Sequence, residues 1–144
     1  MLSKLFVAFA LMGLCVAMHA MGLIAVFRWL QVRIGHGSRS FGPAAWRLVQ
    51  IASWTVFLHL VQILTWAVVY AVGKAMPDLA TAAYFSAVTY TTTGYGDLVL
   101  PEEWRLVGGV EALTGILMCG LSTGMFFAVF SKVFRFVRDD APPA

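Results

Sequence analysis

Charge is what this chain has least of. Only 12% of its 144 residues are charged, about half the share usual in a water-soluble domain, while 60% are hydrophobic and the mean hydropathy is +0.83. That excludes a soluble fold. It also excludes nucleic-acid binding, because the formal charge of +3 comes from basic residues at the ends of apolar segments. Cysteine is equally sparse: Cys15 and Cys119 sit in different apolar segments as small hydrophobes, which gives neither a disulfide scaffold nor a metal site. No nucleophile–base arrangement and no phosphate loop is visible, so neither an enzyme nor a small-molecule substrate is expected. Arginine does not recur at every third position inside a span; Arg28 and Arg33 lie at a span's end, and no voltage sensor is expected.

What the chain does have is three long apolar segments and one short one. Leu5–Phe27, about 23 residues, is long enough to cross a bilayer. Lys4 and the small residues Ala17 and Ala20 would also suit a signal peptide, but the apolar run continues past them, and a retained helix is expected. Leu48–Val72 is the second segment and Leu106–Phe134 the third. Between these two, Asp78 is placed to cap a helix over Leu79–Tyr90, which at 12 residues is too short to cross and suits a re-entrant helix. This length leaves room for three spanning helices and short connections, with no further soluble domain expected. The parts are an additional N-terminal helix (1–30), a basic loop (31–47), a unit of two spans with the short helix between them (48–136) and a short tail (137–144) ending Asp139-Asp-Ala-Pro-Pro-Ala.

Orientation follows from the basic residues. Arg28, Arg33, Arg39 and Arg47 fall between the first two spans, and Lys132, Arg135 and Arg138 follow the third. The positive-inside rule places both regions in the cytoplasm, with the N-terminus outside despite Lys4. The loop carrying the short helix then faces out, where Asp78, Asp97, Glu102 and Glu103 outnumber Lys74 and Arg105.

After the short helix comes Thr91-Thr-Thr-Gly-Tyr-Gly-Asp97. Non-helical backbone at membrane depth is tolerated only where protein buries it or where it lines a watery path. A pore that dehydrates an ion in single file must replace its water with inward carbonyl oxygens. Successive carbonyls of an extended chain point in opposite directions. Aligning them requires alternate residues at positive φ, which Gly94 and Gly96 adopt without steric cost.

Thr92-Thr-Gly-Tyr-Gly-Asp97 resembles the Thr-Val-Gly-Tyr-Gly-Asp filter signature of potassium channels. The surroundings fit as well: the aromatic pair Tyr84 and Phe85 in the short helix, Trp104 seven residues after Asp97, and a glycine-containing last helix. The resemblance covers roughly Leu48–Phe134. It implies an all-α membrane protein of three transmembrane helices plus a re-entrant pore helix and selectivity filter, in the manner of small bacterial potassium channels with one extra helix. It further implies that the carbonyls of Thr92, Thr93, Gly94 and Tyr95, with Gly96 shaping the turn, face a permeant K+. The Thr92 hydroxyl would add the innermost site, the Tyr95 ring would brace the filter from behind, and Asp97 would sit at the outer mouth. Thr93 departs from the family's usual valine, which marks it as a place to look for sodium leak or altered inactivation. A single segment cannot encircle an ion, so the pore is expected to be a homotetramer embedded in lipid, in a plasma membrane of bacterial inner-membrane type.

Other residues keep two readings. Gly108-Gly109, Gly115 and Gly120–Gly124 suit close helix packing, whereas the resemblance makes Gly115 a hinge, with Ile116, Cys119 and Thr123 lining the pore. Glu111, the single acid inside a span, either supports the filter by bonding to hydroxyls such as Thr89 or stays hydrated near the interface. His19 and His59 are packed histidines or, in a haem-bearing redox subunit, axial ligands. Against the potassium channel stand a weakly selective cation channel and a non-conducting membrane scaffold.

Overall fold

The apolar runs form helices that outlast the runs themselves. The computed structural model describes residues 2–34 and 41–138. Helix α1 spans Leu2–Ile34, α2 Phe41–Val72, α3 Leu79–Tyr90 and α4 Arg105–Arg138, with one 3-10 turn at Glu102–Trp104. Among the described residues there is no strand, and α1, α2 and α4 are each long and apolar enough to cross a membrane. The re-entrant helix has the expected bounds. The loop expected over 31–47 is helical at both its ends, so Arg28, Arg33 and Arg47 ride on helix termini. Pro43 is accommodated in the first turn of α2, where no backbone N–H is needed. Arg39, with the rest of 35–40, and the tail from Asp139 lie outside the described residues.

Helix α1 packs against both α4 and α2. Near one end Ala8, Leu11 and Cys15 join Ile63, Trp66 and Tyr70 of α2 and Val107 and Met118 of α4 in the main core. Near the other, Val26 and Leu30 meet Ile51, Met125 and Val129. α1 thus runs parallel to α4 and antiparallel to α2. Its Lys4 ammonium lies 3.3 Å from Glu103 and 4.6 Å from the centre of the Trp104 ring. This puts Lys4 on the acidic end of the molecule. An exposed ion pair adds little stability, but it gives this lysine a local partner at that end.

Helix α3 returns between α2 and α4. Tyr70 packs edge-on against Phe85 (5.4 Å between ring centres) and Trp104 (6.1 Å). α2 ends at Gly73, where an added Cβ would come within 2.6 Å of the Trp104 ring. Gly73 makes room for that ring, while the chain turns out of α2 at Lys74, whose φ is +54°.

Candidate functional site

Asp78 starts α3. Its carboxylate accepts from the backbone N–H of Thr81 (2.9 Å) and from the Thr81 hydroxyl (2.8 Å), satisfying a donor the helix leaves open. The N–H bond holds the Asp78 carboxyl below the usual carboxylate range. The cap is therefore fully present above the ordinary carboxylate pKa and is lost in acid, as pH falls through the lowered one.

The end of α3 shapes the segment that follows. The Thr92 N–H bonds to the Thr89 carbonyl (2.9 Å) and the Thr93 N–H to the Val88 carbonyl (3.0 Å), the paired bonds of a Schellman terminus. That terminus requires its first non-helical residue to be left-handed, and Thr92 has φ +59°. Gly94 follows at +57° and Gly96 at +77°. Positive φ thus alternates along 92, 94 and 96, the pattern that lines up carbonyls on one side of a chain. Two of these positions were legible as glycines. Thr92 was not, because threonine rarely adopts this conformation; the signal was the need to end a helix directly before an extended run. The strain costs roughly 1–2 kcal/mol.

Side chains tie the segment to α3. The Thr93 and Thr91 hydroxyls lie 2.9 Å apart, and Thr91 donates to the Ala87 carbonyl at 2.7 Å. The hydroxyl that replaces valine's methyl group at 93 is thereby anchored to the pore-helix end. Tyr84 donates to Asp97 at 2.6 Å, linking the middle of α3 to the residue beyond Gly96. Even so, residues 91–97 are all exposed on the single chain, and the Tyr95 ring is 71% exposed with no seat of its own.

Gly115 lies directly beneath the end of α3. A Cβ there would overlap the Tyr90 carbonyl oxygen, and the Tyr90 carbonyl carbon would be 2.8 Å away. α4 continues unbroken through it. The geometry is that of a close backbone crossing, the packing reading. Ile116 is 58% exposed, and Cys119 and Thr123 are also exposed, so all three face away from the chain's own core. Gly109, Gly120 and Gly124 have open space around an added Cβ.

Glu111 is completely buried, and its partners are Tyr70 and Ser86, with Thr89 not among them. Tyr70 donates to Oε2 at 2.7 Å, and Oε1 is in short contact with the Ser86 hydroxyl. Ser86 also reaches the Ile63 carbonyl at 2.8 Å. A carboxyl on α4 thus joins α2 to the middle of α3. Both histidines expected in the spans are hydrogen-bonded at both ring nitrogens, which leaves none free to ligate a haem iron.

Residues 44–132 match a family model described as ion channel. The potassium voltage-gated channel protein Shal of Drosophila melanogaster is 35% identical over 65 residues, a stretch covering 44% of this chain and 11% of that protein. No solved structure matches. The matched region runs from the first turns of α2 to near the end of α4 and takes in α3 and the Thr-Thr-Gly-Tyr-Gly segment. The chain is a multi-pass membrane protein that belongs to the ion-channel family built on the two-span pore domain of potassium channels.

Proposed function

We propose that this protein is a potassium-selective channel subunit and that four copies place their 92–96 segments around one axis. The observation that carries the reading is the alternation of positive φ at Thr92, Gly94 and Gly96, directly after a re-entrant helix whose negative end points toward the path. Four features support the tetramer: residues 91–97 exposed, Tyr95 without a seat, open space beside Gly109, Gly120 and Gly124, and a polar-tipped face at Cys119 and Thr123. The named potassium channel among its relatives favours K+ as the permeant ion. Lys4 paired with Glu103 supports an N-terminus on the same side as the filter, and the basic residues at the other ends of the spans favour that side outside and the C-terminus in the cytoplasm of a plasma membrane.

Potassium flux into liposomes bearing the purified full chain, blocked by barium, tests the reading. Absent flux from intact tetramers would leave a membrane scaffold. A weakly selective cation channel is the second reading, favoured by Thr93. We expect a reversal potential near that of potassium in mixed K+ and Na+, and the same value within error for Thr93→Val, which loses one hydroxyl tie but keeps the backbone. A shift toward potassium in the variant would show that Thr93 admits sodium.

Cys119 offers a built-in probe of the path. Among the cysteines Cys119 is exposed and Cys15 is buried. A cationic thiol reagent is expected to cut flux by more than half, and Cys119→Ser to remove that sensitivity. Full modification of Cys119 without loss of flux would place it off the conduction path.

A further inference from the structure

The structure holds a closed ring of hydrogen bonds that the pore reading does not use. Gln62 of α2 donates through Nε2 to His19 Nδ1 of α1 at 3.2 Å. His19 Nε2 meets the Ser122 hydroxyl of α4 at 2.9 Å, and Ser122 meets His59 Nε2 of α2 at 3.0 Å. His59 Nδ1 lies 3.1 Å from the Tyr90 hydroxyl of α3, which closes the ring on Gln62 Oε1. Four helices contribute, and Tyr90 is the last residue of α3 before the turn into the candidate filter.

Donor and acceptor chemistry gives the ring one direction. The Gln62 amide nitrogen also reaches the Cys15 carbonyl at 3.2 Å, which can only accept, so the amide cannot be flipped. His19 then accepts at Nδ1 and donates at Nε2 to Ser122. Tyr90 has to donate to the Gln62 carbonyl, so it accepts from His59 Nδ1–H. His59 Nε2 is left as an acceptor for the Ser122 hydroxyl. Every member donates once and accepts once around the cycle, with both imidazoles neutral.

A proton has one place to go. On His19 it would set an N–H against the Gln62 N–H and break that contact. His59 can take it at Nε2, because the Ser122 hydroxyl has an alternative acceptor, the Met118 carbonyl at 2.9 Å. Ser122 then accepts from both imidazoles and no longer donates into the ring. Access points to the same residue: His19 is fully buried, whereas His59 is half-buried and lines an open cleft shared with Cys119 and Thr123. The titratable groups around His59 are His19 of α1, Tyr90 of α3 and Cys119 of α4. Cys15 of α1 lends its carbonyl to Gln62, and its thiol and the Glu111 carboxyl are near enough to act on the Tyr90 hydroxyl. Glu111 is eleven residues from Ser122, about 16 Å along α4, and is engaged by Tyr70 and Ser86.

We propose that this ring couples the additional helix to the pore helix and that His59 is its proton-accepting member, so that acid sets a positive charge beside the Cys119 and Thr123 face and lowers the conduction of cations. The inference rests on the channel reading, and its test separates the two. Flux through the full chain in liposomes is measured at symmetric pH 7.5 and 5.5, for wild type and for His59→Gln, which keeps a donor for Tyr90 and an acceptor for Ser122 but takes no proton. Wild-type flux is expected to fall at least about threefold across the window in which histidine titrates, and the variant to match wild type at pH 7.5 and lose the fall. A fall of equal size in both, or none in wild type, overturns the proposal. Imidazole nitrogen NMR of the full chain in detergent reports independently of flux. It should show the Nε2–H tautomer at His19 and the Nδ1–H tautomer at His59, with His59 protonating first. Protonation of His19 first overturns the proposal even if no flux is seen at pH 7.5, a result that would by itself count against the channel reading.

Discussion

Gly115→Ala is expected to abolish potassium flux and to lower the melting temperature of the detergent-solubilised protein. In an isolated helix the change would be favourable by about 1 kcal/mol, because alanine loses less backbone freedom than glycine. Here the added methyl group would occupy the position of the Tyr90 carbonyl oxygen, with the Tyr90 Cα only 3.2 Å away. A clash with a side-chain tip is relieved by rotation; one with backbone is relieved only by moving a helix. The helix that must move is α3, whose last turn fixes Thr92 and Thr93 through the Val88 and Thr89 carbonyls. Overpacking a core by one methyl group commonly costs about 1–3 kcal/mol, and a symmetric assembly would bear it in every subunit. The control is Gly13→Ala in α1, where an added Cβ meets nothing within 4 Å and little change is expected. Unchanged flux and melting in Gly115→Ala would show that the end of α3 is not held against α4 as the structure has it.

Much of this architecture was legible because it rests on local rules. Apolar length marked the three spans, and the Asp78 cap with the short run behind it marked α3. Gly94 and Gly96 announced positive φ because few other residues take it cheaply. Helix ends were misjudged for a physical reason: hydropathy records the thickness of lipid, while backbone hydrogen bonding carries α1 and α2 on through Arg28 and Arg47 into the interface. The supports of the site were illegible for another. Which hydroxyl Glu111 meets depends on the register of α4 against α2 and α3, and a shift of three residues along α3 separates Thr89 from Ser86. The five-member ring draws on four helices at separations of up to 103 residues, and no local pattern announces it.

Glu111 is where that register has its sharpest consequence, and replacing it should separate charge from shape. Its two oxygens meet Tyr70 and Ser86, with no lysine or arginine among its partners. Tyr70 donates to Oε2. Ser86 has one proton and two acceptors in reach, Glu111 and the Ile63 carbonyl. All three contacts are satisfied together when Glu111 is itself protonated, donating to Ser86 while Ser86 donates to Ile63. A neutral carboxyl also spares the cost of a charge within a span, about 2.5–3.5 kcal/mol on the insertion scale. Glu111→Gln should then behave nearly as wild type, its amide donating to Ser86 and its carbonyl accepting from Tyr70. Glu111→Leu should leave the Tyr70 hydroxyl buried without an acceptor, costing roughly 1–3 kcal/mol in each subunit, and should lower both melting temperature and flux. Infrared difference spectra between wild type and Glu111→Gln should carry the band of a protonated carboxylic acid. If Gln proves as damaging as Leu, the group is ionised, and α3 is held to α4 by a charge instead of a relay of hydroxyls.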